Sequence, residues 1–436
     1  MTGKPSSVSR RRFFKTAGAL AAAPMIVPSS VLGQRAGAVA PSDKLVFGGI
    51  GIGSRGTASL MCILSYKDAH FAAVADVRNE RREFVKSTVD KRYQNQDCAT
   101  YASYEELLAR KDIDGVIIAT GDRWHTPMTV LASKAGKDIY CEKPCSMTIQ
   151  ESHAMANAVH RYGVVYQAGC QRRNGKNFVW AANLVKEGKL GKLQTVHANV
   201  GTRSSWPPMT THNWLAAVED PAKQVVDWDR WLGPSPWRPY NPEYVAGRWR
   251  GYFDFHGGGI LEWGSHTVDL CQWVSENDGT NAVEYIPLPE TAEGYRLDCK
   301  YPNGVNLVMR DYGFLGLGTC AVRYEGDQGW VETADTGQIR VSDNLKSILP
   351  PPEEGNAFSL TLHYHWRDFI ECMKTRSQPR SSAASTANTH ITCHAAYIAW
   401  QLGRKVTWDP VKNEFPGDEE ANRMRSREMR EPWRLV

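Results

Sequence analysis

The fold is decided by the stretch KLVFGGIGIGSRG at residues 44–56. A short apolar strand pattern runs into a G-x-G-x-x-G turn, and a helix-like pattern follows at residues 57–65. Glycines at these positions let the backbone turn sharply and approach a pyrophosphate without a Cβ in the way. The N-terminus of the following helix then offers free N–H groups to the phosphates. The stretch predicts a dinucleotide site built by Gly51, Ile52, Gly53, Ser54, Arg55 and Gly56.

A second apolar strand pattern supports this interpretation and indicates which dinucleotide binds. It spans residues 71–75 and ends at Asp76, twenty residues after Gly56. An acid at this position binds the 2′-hydroxyl of the adenosine ribose and repels a 2′-phosphate, which favours NAD over NADP. Arg78 follows two residues later and could accept that phosphate, so NADP stays an alternative.

Helix and strand patterns go on alternating along the first part of the chain. Residues 104–110 and 126–135 have helix patterns, whereas residues 115–120 and 138–141 have the pattern of buried parallel strands. This alternation predicts an α/β fold with a doubly wound sheet, in which ligands bind beyond the carboxyl ends of the strands. The side chains that follow two of these ends are Thr120, Asp122, Trp124 and His125, and then Glu142 and Lys143.

Length and composition limit what else the chain can be. Its 436 residues are too many for one core, because single cores stop growing at roughly 250–300 residues. The net charge is only +5 and the basic residues are interleaved with acids, so a nucleic-acid partner is not expected. Of the ten cysteines, Cys141 and Cys145 share one short segment, but no second close pair exists to complete a zinc site. We therefore expect buried cysteines and no metal.

The first residues of the sequence have the pattern of an export signal. Residues 9–15, SRRRFFK, precede an apolar run that ends at Pro28, and together they resemble a twin-arginine (Tat) export signal peptide. The apolar run is shorter than the roughly 20 residues that span a bilayer, so a permanent membrane anchor is not expected. We expect residues 1–40 to be a signal peptide and linker, and the protein to be periplasmic or otherwise exported.

Several motifs taken together resemble the Gfo/Idh/MocA oxidoreductases, named for glucose–fructose oxidoreductase and inositol dehydrogenase. They are the glycine turn, A-T-x-D-x-W-H at residues 119–125, E-K-P at residues 142–144, GGGILEWGSHTVD at residues 257–269 and DEEAN at residues 418–422. The resemblance covers nearly the whole mature chain and implies an N-terminal Rossmann domain. It also implies a second α/β domain with a large open, mainly antiparallel sheet that often builds dimers or tetramers.

The strand patterns later in the chain permit that second domain. They lie at residues 194–200, 295–300, 305–310, 329–333 and 339–341. We expect a Rossmann domain over residues 41–165, a substrate and oligomerisation domain over 166–410, and a tail over 411–436 that packs back on the protein. Because an exposed sheet face of this size is normally covered, a homodimer or homotetramer is expected.

The resemblance also implies which residues carry hydride transfer. Lys143 would lie beside the nicotinamide, with His266 across the substrate as acid or base. Glu262 stands four residues before His266, so on one helix face its carboxylate could orient the imidazole. The family usually has aspartate at that position, which leaves the role of Glu262 open. Other implied cofactor contacts are Thr120, Trp124, His125, Glu142, Lys143 and Gln171; the substrate contacts are Lys143, Arg172 and His266.

Two features after the first domain have more than one interpretation. Arg173, beside Arg172, could equally be a structural ion-pair partner. The segment 204–252 is unusually aromatic and could cover a sugar, because aromatic faces pack on apolar sugar faces, or could pack on the protein itself. Its aromatic residues are Trp206, Trp214, Trp228, Trp231, Trp237, Tyr240, Tyr244 and Trp249.

The function predicted from these residues is NAD(P)-dependent hydride transfer at a secondary alcohol of a sugar, glycoside or polyol. An exported enzyme cannot count on a free nicotinamide pool, so we expect its cofactor to be tightly bound and recycled. One alternative is an NAD-dependent glycosidase that works by transient oxidation and elimination. Another is a non-catalytic sugar-binding protein.

Overall fold

The computed structural model describes residues 43–201, 214–291, 294–311, 315–351 and 357–435. The predicted signal at residues 1–40 and the first part of the aromatic segment, through residue 213, lie outside the described residues. Within the described ranges, no helix combines the length and the apolar character needed to cross a bilayer.

The first domain is built on a parallel sheet. Its six strands are β1 (Leu45–Ile50), β2 (Ala69–Ala75), β3 (Ala99–Tyr101), β4 (Gly115–Ile118), β5 (Asp138–Cys141) and β6 (Tyr166–Ala168). They are arranged in the order β3-β2-β1-β4-β5-β6, and every pair is parallel. Strands β4 and β5 are buried throughout, as expected of parallel strands covered on both faces. The strand order reverses between β1 and β4, which is where such sheets bind dinucleotides.

Helices connect the strands and continue into the second domain. In chain order they are α1 (Ser54–Ser65), α2 (Asn79–Tyr93), α3 (Tyr104–Leu108), α4 (His125–Lys134), α5 (Ile149–Tyr162), α6 (Lys176–Lys186), α7 (Trp228–Leu232), α8 (Pro242–Val245), α9 (Gly259–Val274), α10 (Ala357–Thr375), α11 (Ala383–Leu402) and α12 (Glu419–Arg423). Short 3-10 turns occupy Asp122–Trp124, Gln171–Asn174, Arg248–Gly251 and Asp343–Ile348.

The second domain contains an open sheet of eight strands. They are β7 (Leu193–Asn199), β8 (Glu284–Pro287), β9 (Arg296–Lys300), β10 (Asn306–Arg310), β11 (Val322–Gly326), β12 (Trp330–Thr333), β13 (Ile339–Val341) and β14 (Val406–Thr407). Their order is β13-β12-β11-β7-β10-β9-β8-β14, and only the β7–β10 pair is parallel. Helices α9 and α11 pack on each other and on this sheet, and the main core lies between them. The mainly antiparallel sheet is confirmed.

The structure moves one boundary and adds elements that the patterns did not indicate. Strand β6 pairs with β5 and completes the first sheet, so the first domain extends beyond residue 165, where we had placed its end. Helix α10 comes late in the chain but packs on the first domain, where Trp366 stacks on Tyr140 with ring centroids 4.0 Å apart. Strands β3, β8, β11 and β14 were not predicted; β3, β8 and β14 have only two to four residues, whereas β11 does alternate apolar and polar residues and was missed.

Candidate active site

The glycine turn forms one wall of a cleft at the carboxyl end of the first sheet. Gly51 has φ +69°, and a Cβ there would lie 2.9 Å from the Cα of Thr120, so this position needs glycine for both conformation and space. A Cβ on Gly53 would meet nothing within 4 Å. The open space at Gly53 faces the start of α1, where a pyrophosphate fits.

Asp76 and Arg78, the residues predicted to meet the adenosine ribose, also line this cleft. The Asp76 side chain is almost fully buried and accepts a hydrogen bond of 2.9 Å from the backbone N–H of Arg78. Burial raises the pKa of Asp76, although the Arg78 guanidinium, 3.9 Å away, opposes that effect. Both residues line the cleft, so the predicted acid and its basic alternative are brought to the same place.

The cleft is a single cavity of about 590 Å³. Its lining includes Gly51, Gly53 and Asp76 as well as Lys143 and Glu262. Of the other predicted residues, those that also line it are Ser54, Arg55, Arg78, Thr120, Asp122, Trp124, His125 and Glu142. The predicted nucleotide turn and the predicted catalytic lysine therefore face one continuous space.

Side-chain contacts connect the segments that follow β4 and β5 beside the cleft. The imidazole nitrogens of His125 face the carbonyl oxygens of Pro144, at 2.5 Å, and of Thr120, at 3.2 Å. Glu142 is buried and pairs with Arg55 from α1, with the guanidinium Nε 2.9 Å from the carboxylate. These contacts hold the segments on which Thr120 and Lys143 are carried.

Lys143 meets Glu262 at the far end of the cleft. Its ammonium donates to Glu262 twice, to Oε1 at 3.0 Å and to the backbone carbonyl at 2.9 Å. The second oxygen, Oε2, lies 3.1 Å from Nε2 of His256. Burial alone would raise the pKa of Glu262, but Lys143 and His256 outweigh it and hold that pKa well below its usual range. Glu262 is therefore an ionised carboxylate shared between two donors.

Asp122 completes this group from the turn after β4. Its Oδ2 lies 3.8 Å from Nε2 of His256 and accepts the N–H of Gly257 at 3.4 Å. Burial raises the pKa of Asp122. One donor atom from each of Asp122, His256 and Glu262 lies within 4.8 Å of the others, a spacing at which a cation could also bind. His256 belongs to none of the motifs that indicated the site, and the spacing of the cysteines gave no sign of this group.

His266 lies in different surroundings from those predicted. Its Nε2 is 2.9 Å from Nη1 of Arg172, and its Nδ1 is buried with no partner among the described residues. Burial, and after it the charges of Arg172 and Lys143, lower the pKa of His266 well below its usual value. Glu262 does not orient this imidazole as we had expected, because both of its oxygens face Lys143 and His256.

Arg172 is held by protein groups. Its guanidinium makes a two-pronged contact with Asp335, at 2.9 and 2.6 Å, and donates to the side chain of Gln171 at 2.9 Å. Of the residues that the structure describes, Gln171, Arg172 and His266 are not among those lining the cleft. Their predicted contacts with cofactor and substrate stay predictions.

Arg173 is a structural ion-pair partner, which is one of the two interpretations that the sequence allowed. It pairs with Asp269 at 2.7 Å, and both side chains are only 1% exposed. Asp278 contributes a second carboxylate, also at 2.7 Å. The pair joins the turn after β6 to helix α9 and so fixes the helix that carries Glu262.

Residues 214–256, called here the covering segment, lie across the cleft from the first sheet. Backbone hydrogen bonds attach it to the loop after β2: Asn79 N–H donates to Val225 at 3.0 Å, and Asp227 N–H donates to Val77 at 3.1 Å. Most of its aromatic side chains form a buried cluster on the protein itself, which matches the second interpretation of this segment. Trp231, a member of this cluster, and Trp249, which packs against it, also line the cleft. Trp214 and Trp237 are about half exposed or more, at 48% and 60%.

The cysteines and the chain end take no part in the cleft. All ten cysteines are buried and unpaired, as expected of small core residues. The tail packs back on the protein: Trp433 meets Trp124 edge-on at 5.8 Å, and Arg430 donates to the carbonyl of Gly233 at 3.2 Å. The tail thus supports the back of the turn that carries Asp122.

Comparison with known families agrees with this architecture. Residues 45–170 match the NAD-binding Rossmann fold of the Gfo/Idh/MocA oxidoreductase family, and residues 176–435 match its C-terminal alpha/beta domain. The chain belongs to the Gfo/Idh/MocA oxidoreductase family. The resemblance first seen in the motifs is confirmed.

Individual members of this oxidoreductase family are more distant. A glycosyl hydrolase family 109 protein of Shewanella sp. (strain ANA-3) is 28% identical over 209 residues, which are 43% of this chain and 44% of that protein. The chain thus spans less than half the length of the curated relatives it matches.

Solved structures show the same fold at low identity. The aldose-aldose oxidoreductase from Caulobacter crescentus, complexed with glycerol, is 20% identical with a TM-score of 0.58, covering 84% of this chain and 99% of that one. The myo-inositol 2-dehydrogenase from Lactobacillus plantarum is 17% identical with a TM-score of 0.59 and the same coverage. At these identities, the likeness concerns the fold alone.

Proposed function

We propose that this protein is an NAD-dependent oxidoreductase that takes a hydride from a secondary alcohol of a sugar, glycoside or polyol. The observation that carries the proposal is that Gly53 and Asp76 line the same cavity as Lys143 and Glu262. A dinucleotide whose pyrophosphate lies at the glycine turn would extend toward that amine. Asp76, buried at the adenosine end, favours NAD over NADP, as the sequence analysis expected.

The protein groups would handle the proton of the reaction. Bound NAD supplies a hydride acceptor. As the carbon–hydrogen bond of the substrate breaks, its hydroxyl proton passes to Lys143 after that ammonium has lost a proton to solvent, and a carbonyl product is left. Glu262 Oε1, 3.0 Å from Nζ, stabilises the ammonium that results. His266, whose Nε2 faces Arg172 and which is not among the described residues lining the cleft, stays a predicted second acid or base.

The covering segment supports a retained cofactor. It is hydrogen-bonded to the loop after β2, and its residues Arg230, Trp231 and Trp249 line the cleft opposite the glycine turn. We infer export through the twin-arginine pathway from the SRRRFFK motif, and a tightly bound cofactor suits an enzyme outside the cytoplasm. Protein purified without added nucleotide should release about one equivalent on denaturation; empty, weakly binding protein would contradict retention.

The outer face of the second sheet supports the proposal of a homodimer or homotetramer. It carries rows of paired charges across neighbouring strands, among them Arg323 and Arg340 on either side of the buried Glu332. Such a neutral, ordered face can meet a second copy of itself without leaving charges unpaired. Light scattering of the purified protein should give a mass of two or four chains, and a monomer would contradict this.

A glycosidase is the second candidate, and the family 109 glycosyl hydrolases of Shewanella favour it. In that scheme the hydride is removed, a glycosidic bond is cleaved by elimination, and the hydride is returned, so no nicotinamide is consumed. A screen of sugars and glycosides, followed by nicotinamide absorbance and by mass spectrometry of the products, separates the candidates. Accumulating reduced nicotinamide with a keto product supports the oxidoreductase, whereas cleaved glycoside without net reduction supports the glycosidase.

One variant distinguishes the third candidate, a non-catalytic sugar-binding protein, from the two enzymes. Lys143→Ala should abolish turnover in either enzyme but leave a binding protein unchanged. Sugar binding that is equal in both forms, with no turnover in either, would contradict the proposed enzyme.

A further inference from the structure

We propose that His256 is a positioning residue for hydride transfer: it donates its Nε2–H to Glu262 and so holds the carboxylate that in turn holds Lys143. The inference deepens the proposed function and rests on it, since it concerns the residue assigned to the substrate proton. It adds a residue from outside the motifs that first indicated the site.

The geometry connects His256 to Lys143 through one carboxylate. His256 is 4% exposed and immediately precedes the glycines that begin α9. Its Nε2 lies 3.1 Å from Oε2 of Glu262, while Oε1 lies 3.0 Å from Nζ of Lys143. Two donors on opposite oxygens leave the carboxylate little freedom to rotate, so the amine keeps one orientation toward the cleft.

The environment of the other ring nitrogen indicates where the proton sits. Nδ1 of His256 is buried and has no partner within the part of the chain that the structure describes. A proton on Nδ1 would leave a buried donor unsatisfied, which is more costly than leaving a lone pair unused. The favoured tautomer therefore carries its proton on Nε2 and donates it to Glu262.

The buried Nδ1 of His256, which has no partner among the described residues, also argues against a cation held by Asp122, His256 and Glu262. A metal on Nε2 would force the proton onto Nδ1, whereas histidines that bind metals ordinarily donate that second N–H to a partner. The ammonium of Lys143, which contacts Glu262, already supplies a positive charge beside this group.

Charged groups from several elements face this histidine. They are Glu262 on α9, Asp122 after β4 and Lys143 after β5, with Arg250 and His125 acting on Asp122. Oδ2 of Asp122, at 3.8 Å, is the next acceptor for Nε2–H.

The test measures Lys143 directly, without substrate. The full chain is first stripped of nucleotide and then treated with a trace of acetic anhydride. Mass spectrometry gives the acetylation rate of each lysine, and the exposed Lys346 is the internal reference. In His256→Phe, Glu262 loses one of its two donors and can rotate away from Lys143, so the amine spends more time without its acceptor. The Lys143 amine should be acetylated roughly fivefold faster at a given pH.

Two further variants separate positioning from a loss of packing. His256→Gln keeps an N–H donor at a similar reach and should return the rate to that of the unchanged protein. His197→Phe is the matched control, because His197 forms another histidine–glutamate contact, 3.4 Å from Glu325, in the second sheet. Should the Phe variant fail to fold, His256→Asn, whose shorter amide does not reach Glu262, should label as fast as expected for Phe.

The labelling rates either support or contradict the proposed role of His256. An unchanged rate in the Phe or Asn variant, equal acceleration in the Gln variant, or equal acceleration in His197→Phe overturns the role of His256. Failure of the unchanged protein to transfer hydride from or to any sugar would instead overturn the proposed function, while the labelling result would still report on the contact among His256, Glu262 and Lys143.

Discussion

The ammonium of Lys143 donates to both the side chain and the backbone of Glu262, at 3.0 and 2.9 Å. Lys143 follows the fifth strand of the first domain, and Glu262 lies in the first turn of α9 in the second domain. One contact thus ties the two domains together at the end of the dinucleotide cleft. A movement of α9 would therefore displace the carboxylate that holds the amine of Lys143.

The lysine itself provides the first prediction. Lys143→Met should lower kcat for sugar oxidation by about 10²- to 10⁴-fold, because a positioned acid or base contributes about that much. Nucleotide content should stay near that of the unchanged protein, since the pyrophosphate site is elsewhere in the cleft. Lys346→Met, at an exposed site, serves as control. A variant that keeps more than a tenth of the activity would remove Lys143 from its proposed role.

Two glycines of the same turn should respond differently to alanine. Gly53→Ala should fold normally, because a Cβ there meets no protein atom within 4 Å, but should bind NAD at least about tenfold more weakly as the methyl meets the pyrophosphate. Gly51→Ala should lower the melting temperature, because its φ of +69° and the nearby Thr120 backbone both oppose a side chain. Equal NAD affinity for Gly53→Ala and the unchanged protein would contradict the proposed site.

Asp76 should determine the choice of nucleotide. Asp76→Ala removes the acceptor for the ribose hydroxyl and the charge that repels a 2′-phosphate, while Arg78 remains beside it. We expect the ratio of NAD to NADP affinity to fall by about tenfold or more, measured by titration of the stripped protein. Arg78→Ala should not favour NADP. An unchanged ratio in Asp76→Ala would place the adenosine ribose elsewhere.

The buried ion pair behind the site should be important for stability. Asp269→Asn leaves the guanidinium of Arg173 buried with only part of its partners, so the free energy of unfolding should fall by about 3–5 kcal/mol. Asp343→Asn removes a pair whose carboxylate is 92% exposed and should change nothing measurable. Urea denaturation followed by tryptophan fluorescence would compare them; equal stability of the two variants would contradict the prediction.

Acid should destabilise the fold through its buried histidines. Burial lowers the pKa of His365 to about 3 and of His390 to about 4, against about 6.5 in an unfolded chain. Since the unfolded state binds these protons at higher pH, the stabilisation is fully present above about pH 6.5 and is lost as the pH falls toward 3 to 4. At pH 5, one such histidine should have lost about 2 kcal/mol.

Free energies of unfolding measured at pH 7 and pH 5 would give the slope of stability against pH. His390→Asn should make it shallower than in the unchanged protein, whereas His160→Asn, at an exposed position, should leave it as it was. The same slope in all three proteins would show that buried histidines do not set the acid stability.

The sequence by itself determined the first domain, most of the second sheet and the cleft. The glycine turn, Asp76 and the E-K-P motif depend on local chain geometry at strand ends, and a regular parallel sheet places all strand ends at one edge. These residues accordingly line one cavity. Strands β7, β9, β10, β12 and β13 were likewise indicated by local strand-like patterns, since few long helices intervene between them.

Only the tertiary structure decided which side chains meet. Four-residue spacing placed Glu262 and His266 on one helix face but could not show that their partners, Lys143 and Arg172, come from different elements. His256 carries no local signal; it reaches Glu262 because the chain turns at Gly257–Gly259 before α9 begins. Helix α10 packs on a domain that the chain left almost two hundred residues earlier. Such contacts follow from the packing of the whole core, which spacing along the chain does not encode.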